Sequence, residues 1–325
     1  VTGAIVSGAA ASTLTIQNQG GLDSYNSSAG DYDSTSKQNT TLVTAGDIKL
    51  QNQAETLGDI EAAGSVTLQN KAEVTGNVSY GGTLSKAGNA VIGGWSAPNA
   101  SVTTPEPVEQ LIDDKRTSFQ GTGSDNDAES HVDNSTNSLT GCSSTCDLDA
   151  GDYLLSNVNL GSGDELVLDT SGGEVEVVVD GDITIEGDAK VEVTGGGTAR
   201  FYIEGSSTIQ NQANVTVPGE RSSGLWLYMN SGESADFNNQ ARFVGVVYGP
   251  GSGGSGGVDI GLNNKIDIFG GLVGQVDAVQ NKMGIHFDEA LVGEDPLAAA
   301  GGGGSGTPSI TYLHVSTVGV NVTAV

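Results

Sequence analysis

The sequence predicts an all-β protein: a parallel β-helix, or solenoid, of about 18 residues per coil with a tethered C-terminal strand. Three observations predict it. A short phrase recurs: apolar-x-apolar, then Gln-Asn or Asn-Asn, a small or basic residue, and a second apolar stretch. It begins at Leu14, Ile48, Val66, Ser207, Ala235, Ile260 and Val276. The neighbouring corners Asn52, Asn70 and Asn89, and Asn264 and Asn281, lie roughly 17 to 19 residues apart, which suits three short strands with tight corners. Alternating Val, Ile and Leu give each strand one apolar face that a single unit cannot bury and stacked units can.

Residues 1–100 carry the first coils, interrupted by a loop over 23–32. Residues 101–150 form an irregular acidic insertion, with an extended Thr104-Pro-Glu-Pro segment and a short helix at Glu109-Gln-Leu-Ile-Asp-Asp-Lys. Residues 151–292 resume the coils, with a Gly-rich excursion after Gly249. Residues 293–309 are a Gly-rich linker. Residues 310–325 alternate strongly and read as one strand, with Ile310, Tyr312, Val318 and Val320 on its apolar face. A tethered strand either caps its own solenoid or adds to a neighbour's sheet.

Asn52, Asn70, Asn211, Asn239, Asn264 and Asn281 are expected as a corner ladder. Asn tolerates positive φ, and stacked amides bond along the axis.

Composition excludes several functions. Twelve basic residues against 40 acidic ones give a net charge of −28, so nucleic acid is not expected as a partner. That charge suits high salt, where repulsion is screened, and the chain reads as secreted by a halophile. No apolar run of about 20 residues is present, so no membrane span is expected. Val1 opens in a strand-like phrase, and a preceding segment is expected to have been removed. Cys142 and Cys146 predict a small-loop disulfide, which fits an extracellular location. Asn26, Asn39, Asn77, Asn99, Asn134, Asn214 and Asn321 head glycosylation sequons, so glycans are a candidate partner.

No catalytic constellation stands out, and no enzyme activity is expected. His131, His286 and His314 lack a nucleophile at a useful spacing. Asp180, Asp182, Glu186 and Asp188 lack the basic partners of a carbohydrate-cleaving cleft. Asp125, Asp127, Glu129 and Asp133 set oxygens at alternate positions, as calcium loops do. Ser130 and Thr136 stand where such a loop has its Gly and its closing Glu. No other cofactor is expected.

Asn239-Gln-Ala-Arg-Phe-Val-Gly-Val-Val-Tyr-Gly-Pro, Gly270-Gly-Leu-Val-Gly and Gly284-Ile-His-Phe-Asp-Glu-Ala-Leu resemble the β-helical domain behind pilin-like N-termini in haloarchaeal and bacterial surface proteins. The coils are also similar to those of bactofilins, which polymerise. The resemblance implies an extracellular, self-associating filament subunit and brings no catalytic residues. The pilin-like apolar N-terminal helix is not in this sequence, and the C-terminal strand is the element expected in its place. A monomeric adhesin, binding glycans or surfaces through Trp95, Trp226, Tyr25 and Tyr32, is the alternative expectation.

Overall fold

The computed structural model describes residues 3–7, 12–35, 37, 39–121, 123–251, 257–280 and 283–297. The protein is all-β, and its sheets are almost entirely parallel. Among the described residues, Val132–Asp133 with Ser138–Leu139 is the antiparallel exception.

The strands lie in three rows. Row one runs in spatial order through Ser96–Pro98, Val78–Tyr80, Gly58–Ala62, Thr40–Thr44 and Ile5–Ser7. It continues through Asp267–Val273, Arg242–Tyr248, Leu225–Met229, Ala199–Ile203, Val175–Val179 and Gly151–Leu155. Row two runs from Val91–Ile92 through Gly21–Tyr25 and Gly284–Asp288 to Cys146–Leu148. Row three holds Leu84–Lys86 to Ala278–Val279 and, beyond them, Asp259–Asn263 to Val158–Leu160. Stacked residues are 18 apart in the first part, as at Asp59 and Asn77, and 24 to 28 apart at Asp182 and Ser206 and at Asn211 and Asn239.

The chain enters this array in its middle. Ile5–Ser7 pairs with Asp267–Val273 on one side and Thr40–Thr44 on the other. The strands that follow in sequence therefore build outward from there to residue 98. The chain then crosses to the far end of the array and builds back. The crossing segment carries the 11-residue helix Glu109–Phe119, longer than the one or two turns expected from sequence. Its apolar residues Val108, Ile112 and Phe119 are buried. Lys115 Nζ reaches Glu176 at 2.5 Å, and Arg116 Nε reaches Asp180 at 2.8 Å. The segment covers the outer face of row one, where Tyr202 and Tyr228 stack at 5.2 Å and Trp226 follows at 5.9 Å. This explains why Val175–Val179, Ala199–Ile203 and Leu225–Met229 are buried on both faces, while Glu165–Asp169 and Lys190–Thr194 alternate.

Two kinds of corner hold the rows in register. At the Asn corners, Asn239 Nδ2 donates to Asn211 Oδ1 at 3.0 Å, and Asn264 Nδ2 donates to Asn239 Oδ1 at 3.1 Å. Asn52 Nδ2 reaches Asn18 Oδ1 at 3.4 Å. Positive φ falls on both members of Asn211-Gln212, Asn239-Gln240 and Asn264-Lys265, the type I′ pattern. In the first coils it falls instead on Gln19, Gln53 and Lys71, the residue after the Asn, so Asn52 and Asn70 are not in the left-handed conformation expected of them. The next residue turns inward, and Ala54, Ala72, Ala213 and Ala241 are buried there.

The second corner type was not recognised from sequence. Asp47 Oδ1 accepts from Ser65 N at 2.6 Å, and Asp59 Oδ1 from Asn77 N at 2.6 Å. Asn77 Oδ1 in turn accepts from Trp95 N at 3.1 Å. Asn157, Asp182, Ser206 and Ser234 repeat the arrangement. A glycine precedes most rungs, including Asp47, Asp59, Ser65, Asn77, Asp182 and Ser206, and makes room for the side chain below. A Cβ on Gly76 would sit 2.1 Å from Asp59 Oδ1 and 2.5 Å from Gly58 O. Gly76→Ala is therefore expected to lower stability by about 1–3 kcal/mol in urea unfolding, since both the Asp59 carboxylate held in its rung and the Gly58 backbone would have to yield.

Candidate functional site

Three features concentrate chemistry: a polar knot where the two sets of coils meet, a capped end and an open end.

The knot is built from Ile285-His-Phe-Asp-Glu-Ala-Leu291. Phe287 and Leu291 are core, and Asp288 is fully buried. Asp288 Oδ1 accepts from Ser27 N at 3.0 Å and Ala290 N at 3.1 Å. Its Oδ2 accepts from Ser27 Oγ and Ser222 Oγ at 2.7 Å each and from Ser222 N at 3.3 Å. Glu289 Oε1 accepts from Ser24 Oγ at 2.7 Å. His286 Nδ1 lies 2.5 Å from Asp23 Oδ1, and Tyr32 Oη donates to Asp23 Oδ2 at 2.6 Å. The Tyr32 ring lies on His286 at 4.2 Å and edge-on to Phe269 at 5.4 Å. Burial pushes the Tyr32 phenol up, and its bond to Asp23 adds to the shift. The carboxylates of Asp23, Asp288 and Glu289 all accept hydrogen bonds from neighbours within the knot or lie against His286. The arrangement clamps the 26–39 loop and both sets of coils together.

The end of the array at 146–160 is capped by residues 123–145. Asn126 is buried, and its side chain stands in for a missing strand. Its Oδ1 accepts from Leu154 N at 3.0 Å while Nδ2 donates to Leu154 O at 2.7 Å. Asp125 N donates to Asp152 O at 2.6 Å, and Ser156 N donates to Asn137 O at 2.7 Å. A disulfide joins Cys142 of this cap to Cys146, the first residue of the end strand Cys146–Leu148.

The opposite end is Leu84–Lys86, Val91–Ile92 and Ser96–Pro98. Their bonds run back to the preceding coil, as in Ala87 N to Leu68 O and Gly93 N to Val74 O. Among the described residues no segment bonds their outward side. Trp95 is 56% and Val91 48% exposed.

Other residues singled out from sequence fall as follows. Asp125, Asp127, Glu129 and Asp133 do not converge. Asp125 bonds Asp152 N, Glu129 bonds His131 N, and Asp133 bonds Ser135. Among the described residues no three His, Cys, Asp or Glu side chains gather as a metal site needs. Asp180 pairs with Arg116, Asp182 is a corner rung, Glu186 accepts from Gln210 and Asp188 from Ser162. Tyr25 and Trp226 are buried, which removes them from any surface aromatic platform. Asn39, Asn99 and Asn134 are exposed and Asn26 is half-buried, whereas Asn77 is a corner rung and Asn214 Oδ1 is buried within a strand. Asn281, Asn321, His314, Ile310, Tyr312, Val318 and Val320 lie outside the described residues. Among the described residues no helix is long and apolar enough to cross a membrane.

Burial raises the carboxyls of Glu55, Asp152, Glu204 and Asp259. Nearby Glu73, Glu176 and Asp277 add repulsion to Glu55, Asp152 and Asp259 in turn. A carboxyl with a raised folded pKa binds its proton more tightly in the fold, so its ionisation destabilises the fold as pH rises through that window. At fixed high salt the melting temperature is expected to be higher near pH 5 than near pH 7.5. A lower value near pH 5 would contradict this electrostatic assignment.

No curated protein and no solved structure matches the chain. The family model described as "Domain of unknown function (DUF7305)" matches residues 91–294, from the open-end coil through the crossover and cap to the knot. The chain belongs to that family.

Proposed function

We propose that the protein is an extracellular structural subunit, a parallel β-helix that self-associates into a surface filament or thread. The coils are of two sizes, about 18 residues in the first set and longer in the second. The observation that carries this reading is the difference between the ends: one closed by its own chain, the other an edge of three rows that no other described residue covers. Solenoids need both ends covered, and an uncovered edge is a template for another strand. The side-chain ladders, the committed carboxylates and the disulfide support a scaffold role outside the cell. The resemblance to pilin-like surface proteins and bactofilins points the same way, and the role is non-enzymatic.

The adhesin alternative has one supporting observation, the exposed Trp95. Asn39, Asn99 and Asn134 are the sequons best placed to carry glycans on either reading.

Light scattering of the full chain in molar salt tests the proposal. Mass that grows with protein concentration is expected. A constant monomer mass would favour the adhesin.

A further inference from the structure

We propose that the open end is the receiving site for residues 310–325 of a second copy of this chain. This rests on the self-assembly reading and assigns which end accepts and what it accepts.

Three observations carry the assignment. First, the open end stops mid-pattern. Trp95 N and Thr83 N take the last side-chain rungs, from Asn77 Oδ1 and Ser65 Oγ, and among the described residues no rung follows. Val91 and Trp95 are exposed there, and Ile92 and Leu84 are partly buried against the core. The opposite end has Asn126 in the corresponding place and cannot receive a strand.

Second, the two longest acid-free stretches of the sequence fall on the open end and on the tail. In a chain of net charge −28, residues 74–105 contain no Asp or Glu, and neither do residues 296–325. The first stretch makes up the open end, and the second contains residues 310–325, whose alternation predicts a strand. Two copies of so acidic a protein repel each other, and these stretches bring the least of that repulsion into contact.

Third, reach favours a second copy. Tyr228 Oη donates to Pro296 O at 2.8 Å, which fixes where the tail departs. Along row one the strands of Tyr228 and Tyr248 lie six to seven places from Ser96–Pro98, about 30 Å at the spacing of neighbouring strands. A relaxed Gly-rich linker of the length of 298–309 spans roughly 20 Å. The chain's own tail reaches its own open end only by stretching that linker well beyond its relaxed span, to about three quarters of a full extension of roughly 40 Å, whereas a neighbour's tail has no such constraint. Pro98 brings no N–H to the edge, so the donated strand is expected along Val91–Ile92 and Leu84–Lys86, covering Trp95.

Hydrogen exchange of the full chain tests this, with light scattering on the same samples. Amides of 83–98 are expected to exchange on the order of tenfold more slowly in concentrated than in dilute protein. Full-length Ile310→Asp/Val320→Asp is expected to return them to the dilute rate. Protection equal at all concentrations would overturn the proposal in favour of the chain's own tail. Protection that survives the double substitution would overturn the tail as occupant. Multimers whose 83–98 amides stay unprotected would overturn the site while leaving self-assembly intact. Monomers throughout would remove both.

Discussion

Asp288→Ala is expected to cost about 3–5 kcal/mol of stability in urea unfolding, the largest effect of any single substitution considered. Its carboxylate is fully buried and receives three backbone N–H groups and two hydroxyls, from Ser27, Ser222 and Ala290. Alanine leaves the two buried donors of Ser222 without an acceptor and removes the partner of the half-buried donors of Ser27 and Ala290. The donors belong to the 26–39 loop, the 222 turn and the segment after the last strand, so one side chain ties three parts of the chain. Asp288→Asn separates charge from shape. It keeps the volume but turns an NH2 group toward donors, and it is expected to destabilise by a comparable amount. Ser222→Ala removes one donor and is expected to cost only about 1 kcal/mol. An Asp288→Ala protein as stable as the parent would mean that the two sets of coils are held together elsewhere.

Asn126→Ala is expected to cost about 2–4 kcal/mol and to open the capped end selectively. The amide pairs both backbone groups of Leu154 and donates to Asn137 Oδ1 at 3.0 Å. Alanine orphans a buried N–H and a buried C=O in row one. Amides of 151–155 should lose exchange protection first, while those of 242–248, deep in the array, keep theirs. Uniform loss of protection would show that the cap is part of one cooperative unit with the coils. Unchanged protection at 151–155 would contradict its role as a substitute strand.

Much of the fold was legible because its physics is local. The Gln-Asn phrase marks corners, and the residue after each corner is a buried Ala in most copies, so strand after strand falls where alternation places it. The order of stacking was not legible. Nothing local in Ile5-Val-Ser tells that it pairs with Leu272 and Val273 rather than only with its sequence neighbours. The crossover reads as irregular from sequence because its helix carries only three apolar residues, Leu111, Ile112 and Phe119. Its consequence is visible, after the fact, in the unbroken apolar runs Val175-Glu-Val-Val-Val and Leu225-Trp-Leu-Tyr-Met, which need cover on both faces. The carboxylates of 125–133 looked like cation ligands because alternation of acids is the sequence signal of a calcium loop. A backbone cap uses the same residue types, and only the fold distinguishes them. His286 carried no signal beyond being structural, since its partner Asp23 is 263 residues away in sequence.

The most direct test of self-assembly is negative-stain electron microscopy of the purified protein in molar salt, comparing the full chain with one ending at Gly306. Filaments from the full chain and single short rods from the truncated one are the predicted result. Single rods in both samples would contradict the account of this protein as a filament subunit.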